Sequence, residues 1–125
     1  MVCLDTNIII DYINGNEAIK KLVNSYAINE GITTTIVTKY ELLVGRDESE
    51  RRTVLEFLRE IKVYSLEDKA AEVAANIFRK LRISGSSISD TDILIAGIST
   101  ANDETLITKD RDFERIKSGR FVIIK

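Results

Sequence analysis

Apolar and polar positions along the chain follow two alternating rhythms. Short apolar runs rich in β-branched residues, at 2–4, 32–37, 105–108 and 121–124, predict strands, and residues 62–66 form a weaker candidate. Between them, apolar residues recur at three- and four-residue spacing, which predicts helices. Residues 7–13 and 17–28 read this way, the second with Ile19, Leu22, Val23, Tyr26 and Ala27 on one side, as do 39–44. Residues 48–61 are amphipathic, with Val54, Leu55, Leu58 and Ile61 on one face. Residues 67–81 carry a broad apolar face of Ala70, Ala71, Val73, Ala74, Ile77, Phe78 and Leu81. Residues 90–101 are almost wholly apolar after the first turn and belong in a core, and 111–116 form a short helix.

Strands alternating with helices predict βαβ units and a mostly parallel sheet of about five strands, an α/β fold. Right-handed crossovers then place helices on both faces. No linker, repeat or proline divides the chain, so one domain over 1–125 is expected. In this layout every strand-to-helix junction opens on the same edge of the sheet.

Composition narrows the chemistry. Hydrophobic residues make up 44% and charged residues 30%, enough for a packed core. The net charge of −2 does not mark a basic nucleic-acid binder, so contact with phosphate needs a local patch or a metal ion. Cys3 is the one cysteine; it reads as a buried small hydrophobe and fits a reducing cytoplasm. No segment has the length of a membrane span. The absence of histidine excludes a Ser-His-Asp triad, a Cys-His dyad and a His-based zinc site, leaving carboxylates, hydroxyls or lysines.

The acids at the junctions are Asp5, Glu41, Asp90 or Asp92, and Asp110 or Asp112. Capping is the simpler explanation of each alone: Thr38-Lys39-Tyr40-Glu41 reads as a capping box and Ser89-Asp90-Thr91-Asp92 as a near match. Asp5 follows a buried strand, caps no obvious helix and has no cation near it in sequence. Carboxylates about 5 Å apart repel by roughly 3 kcal/mol per pair at an effective dielectric near 20. Several together make a poor structural motif but a good oxygen cage for Mg2+ or Mn2+. Asp90 and Asp92 point to different sides of a helix. Asp92, one turn before the small Ala96 that admits a neighbouring backbone, is favoured as ligand, and Asp90 as cap or outer partner. Asp110, nearer the strand end, is favoured over Asp112.

Leu4-Asp5-Thr6-Asn7, Glu41-Leu42 with Gly45, Asp92-Ile93-Leu94-Ile95-Ala96, and Thr108-Lys109-Asp110 with Asp112-Phe113 resemble the four motifs of PIN-domain proteins. The best match is the VapC-type toxin ribonuclease of toxin–antitoxin pairs. The resemblance implies a three-layer α/β/α sandwich and a magnesium-dependent endoribonuclease that hydrolyses RNA with a metal-activated water. It implies a catalytic, metal-binding quartet of Asp5, Glu41, Asp92 and Asp110, with Asp112 able to stand in for the variable fourth acid. It also implies neutralisation by a small antitoxin, and homodimerisation.

Around this quartet, Thr6, Asn7, Thr108 and Asp90 are candidate supports, and capping or turn roles fit them as well. Lys39, Arg46, Lys109, Arg111 and Arg115 sit where they could hold RNA phosphates, against an ordinary solvated-surface role. Tyr12, Tyr26, Tyr40 and Tyr64 read as half-core residues rather than base-stacking platforms. Two other readings compete: a non-catalytic PIN-like module that binds RNA or protein, and a receiver-type phosphoacceptor domain. The receiver needs adjacent acids after its first strand and an acceptor Asp on a central strand, where this chain has a lone Asp5 and Tyr64-Ser65-Leu66.

Overall fold

A computed structural model describes all of residues 1–125. Its elements run β1 (Val2–Leu4), α1 (Thr6–Ile13), α2 (Glu17–Asn29), β2 (Ile32–Thr35), α3 (Ile36–Leu43), α4 (Glu48–Arg59), β3 (Lys62–Tyr64), α5 (Asp68–Ile83), α6 (Asp90–Ala101), β4 (Thr105–Thr108), a 3-10 helix (Arg111–Arg115) and β5 (Arg120–Ile123). The five strands form one sheet in the order β3-β2-β1-β4-β5. Every pairing is parallel, with Cys3 opposite Thr33 on one side and Leu106 on the other.

Parallel strands bury both faces, and two cores result. One gathers Cys3, Leu106 and Phe113 beneath Ala70, Ala74 and Ile77 of α5 and Ile95 and Ile98 of α6. The other gathers Val2, Leu4 and Ile107 beneath Ile8, Ile9, Val23, Val54 and Leu58 of α1, α2 and α4. This is the expected three-layer sandwich. No helix is long and apolar enough to cross a membrane.

Element ends shift by a few residues, and one shift changes the reading of the site. The β-branched run 32–37 does not stay extended: β2 ends at Thr35, whose hydroxyl accepts the Thr38 N–H at 3.0 Å and caps α3. Helix α3 therefore starts at Ile36, and Thr38 heads no capping box; Glu41 lies in the helix interior. The close backbone approach expected at Ala96 occurs one residue on. A Cβ on Gly97 would meet the Ala74 Cβ at 2.7 Å and the Ala70 carbonyl oxygen at 2.8 Å, so only glycine lets α5 and α6 touch here. That contact sets how closely α6 packs on α5, with Asp92 in the first turn of α6. Tyr40 also departs from the half-core reading, at 61% exposed on α3, whereas the Tyr12 ring packs at a tilt against Phe57 and the Tyr64 hydroxyl donates to Glu104.

Candidate active site

Strand order reverses direction between β1 and β4: the chain leaves β1 toward β2 and β3, then returns to β4 and β5 on the other side. In an open parallel sheet this switch point leaves a crevice at the carboxyl ends of the two strands, the usual place for ligands. Asp5 directly follows β1 and Asp110 lies two residues beyond β4, so both stand at the crevice.

Asp5 is only 3% exposed. It is not uncapping, as its sequence neighbourhood suggested: it is the N-cap of α1, and the Thr6 N–H donates to its Oδ1 at 2.8 Å. Its Oδ2 accepts the buried Thr108 hydroxyl at 2.6 Å. Burial pushes the Asp5 carboxyl up to about 6, against the pull of these two hydrogen bonds, and the negative charges of Asp92 and Glu41 push it the same way. No cation offsets it. A buried carboxylate with no cation beside it is a group waiting for a positive charge.

Asp92 and Glu41 lie near enough to act on its charge, while the tightest carboxylate group is Asp92, Asp110 and Asp112, without Asp5 or Glu41. The Thr6 hydroxyl donates to Glu41 Oε1 at 2.6 Å, which draws α3 against α1. Asp92 also has a raised pKa, chiefly through burial; its bond from Ser89 opposes this, while Asp110, Glu41 and Asp112 add to it. Carboxylate oxygens of Asp92, Asp110 and Asp112 lie within 4.8 Å of one another. Asp110 caps the 3-10 helix by accepting the Asp112 N–H at 2.8 Å, and Arg115 lies 3.3 Å from Asp112. Thr108 accepts the Asp110 N–H at 3.0 Å while donating to Asp5, so one hydroxyl joins the ends of β1 and β4. Asn7 does the same from α1, its side-chain oxygen accepting the Lys109 N–H.

Asp90 stands apart. Ser89, not Asp90, caps α6, and Asp90 borders a shallow apolar groove with Ala71, Phe78 and Leu94. Among the basic candidates, Lys109 is held by Asp11 at 2.6 Å and Arg111 by Glu114 at 2.9 Å. Arg46 pairs with Glu50 and lines a separate cleft between α1, α3 and α4. Lys39 is half-buried on α3. Two polar anchors had no local signal: Asp11 meets Lys109 across 98 positions, and the buried Glu104 is held by Tyr64 and the terminal ammonium.

The donors at the crevice are all hard carboxylate oxygens, which suits Mg2+ or Mn2+ rather than a soft metal. Similarity to known proteins agrees with the geometry. The PIN domain family profile matches residues 2–119. Ribonuclease VapC19 of Mycobacterium tuberculosis is 29% identical over 109 residues, covering 86% of this chain and 87% of its own. Ribonuclease VapC3 of Methanocaldococcus jannaschii is 30% identical over 95 residues, covering 76% and 94%. A chain in the crystal structure of VapBC2 from Rickettsia felis, bound to a promoter DNA fragment, superposes with a TM-score of 0.90 at 22% identity, over the full length of both. The chain belongs to the PIN domain family, alongside the VapC-type proteins it matches.

Proposed function

We propose that this chain is a single-domain, divalent-metal-dependent endoribonuclease and the toxin of a toxin–antitoxin pair. The observation that carries the reading is the convergence of Asp5, Glu41, Asp92, Asp110 and Asp112, with Arg115 their one cationic partner, at the crevice between β1 and β4. Its relatives' names as ribonucleases support the substrate class.

Asp5, Glu41, Asp92 and Asp110 would hold Mg2+, or Mn2+ in its place; Asp92 and Asp110 already stand together with Asp112, which could share the ion, and Asp5 and Glu41 would close on it from α1 and α3. When bound, the ion would supply the positive charge that lowers the pKa of a water toward neutrality and offsets charge on the phosphate. The protein's part is positioning. Thr108 fixes the spacing of Asp5 and Asp110, Thr6 fixes Glu41 against α1, and the packing of Gly97 on α5 sets how closely α6, which carries Asp92, lies on α5. With no histidine in the chain, a carboxylate of this group is the leading candidate for any further general base.

A cytoplasmic setting fits the single buried thiol. A small antitoxin is the expected partner, and a cleft of about 270 Å³ lined by Ile10, Ile13, Leu42 and Val54 would accept an apolar segment of it. A homodimer fits the exposed apolar residues Ile36 and Tyr40 of α3 and Val44 just past its end. Purified protein should cut RNA in Mg2+ and stop on chelation, and Asp5→Asn should stop it too. Full cutting in chelator, or by that variant, would refute the reading.

A further inference from the structure

Beside the acidic centre lies a cleft of the opposite charge. It measures about 130 Å³ and opens between the last turns of α5 and the segment that leads from the 3-10 helix into β5. Leu81 and Ile116 form its floor, and Lys80, Arg115, Lys117 and Ser118 its rim; no carboxylate and no aromatic ring lines it. In a chain with 20 acids and 18 bases, such segregation creates a local field the net charge hides.

The cleft is joined to the acids. Helix α5 ends on the edge where α6 begins, so Lys80 and Asp92 share that edge. Arg115 bridges the two regions: its Nη1 donates to the Ser87 carbonyl at 2.8 Å and its Nη2 lies 3.3 Å from Asp112. The lysines are not spent on protein partners. Lys80, in the last turn of α5, offsets the negative end of the helix dipole but pairs with no carboxylate. Lys117 donates only a 3.4 Å bond to the Glu114 carbonyl.

Size and chemistry choose the occupant. A volume near 130 Å³ equals about four waters, room for a phosphodiester group. With no aromatic wall a base has nothing to stack on. We propose that this cleft seats one backbone phosphate of the RNA strand, next to the scissile bond. The proposal takes its ligand from the ribonuclease reading above. Phosphate contacts fix register without reading sequence, so the cleft would set where the strand lies relative to the acids.

The test uses the Asp5→Asn chain in chelator, to keep the RNA whole, with fluorescence anisotropy on a labelled single-stranded RNA between 50 and 200 mM salt. Adding K80Q and K117Q should weaken binding about ten-fold at low salt. It should also reduce the slope of log affinity against log salt by about 0.7, the value for one single-strand phosphate. K21Q with K69Q makes the same charge change on α2 and at the far end of α5, and should leave the slope unchanged. Unaltered binding in the Lys80 and Lys117 double variant, equal loss in both double variants, or no RNA binding at all would overturn the proposal. A wild-type chain that binds through this cleft but never cuts would leave the proposal standing and remove the nuclease reading. One that cuts RNA with binding indifferent to both lysines would do the reverse.

Discussion

Replacing Asp5 by asparagine should make the metal-free protein more stable while removing its activity. Asp5 is 3% exposed, and its carboxyl sits at about 6 where 3.8 is ordinary. At 1.36 kcal/mol per unit, holding it ionised inside the fold costs about 3 kcal/mol. Between about pH 4 and pH 6 the folded chain keeps a proton on Asp5 that the unfolded chain has released, so stability rises as pH falls through that window. Above about pH 6 both states release it and the full cost is present; below about pH 4 both states hold it. Asparagine keeps an oxygen for the Thr6 N–H but turns an amide toward Thr108, whose hydroxyl must then accept, a loss of about 1 kcal/mol. The net gain at pH 7.5 in chelator is about 2 kcal/mol, or about 8 °C in Tm for a chain of this length. Thermal melts of both proteins in chelator from pH 4 to 8 measure it. The gap should be widest above pH 6 and close toward pH 4. A variant less stable than the parent at pH 7.5, or a gap independent of pH, would refute the electrostatic account of Asp5.

Other outcomes follow from single contacts. Thr108→Val should destabilise by about 1–3 kcal/mol in denaturant melts, because the Asp5 carboxylate and the Asp110 N–H both lose a buried partner; Thr108→Ser should restore most stability and cleavage. Gly97→Ala should cost about 1–3 kcal/mol despite the better helix propensity of alanine, since its methyl would meet the Ala74 Cβ at 2.7 Å; an unchanged Tm would show that α5 and α6 part easily. Cys3 is fully buried with its thiol pushed up to about 12, so a thiol reagent should label the native protein only at the rate of unfolding.

The strand–helix alternation was legible because each apolar run is short and ends in a polar residue. The convergence of the junction acids followed from parallel strands sharing one edge. Errors arose where two local preferences overlapped. Ile36 and Val37 extend a β-branched run, so periodicity could not place the start of α3; the Thr35 cap decides it. Asp5 bonds the N–H of the very next residue rather than one in the middle of the first turn, so no capping pattern betrays it. The rule that residues two apart diverge on a helix holds for Asp90 and Asp92. It fails for Asp110 and Asp112, because Asp110 stands in extended backbone before a 3-10 helix and both carboxylates reach Asp92. Lys109 with Asp11 and Tyr64 with Glu104 are tertiary pairs with no trace in local sequence.

The central claim, hydrolysis by water at a carboxylate-held divalent ion, is tested most directly by cutting RNA in Mg2+ and 18O-enriched water and weighing the new ends. Solvent oxygen should appear in the newly formed terminal phosphate, with no 2′,3′-cyclic phosphate, and chelator should abolish both the cut and the label. Cyclic phosphate ends, or unlabelled phosphate from a cut that survives chelation, would contradict the account.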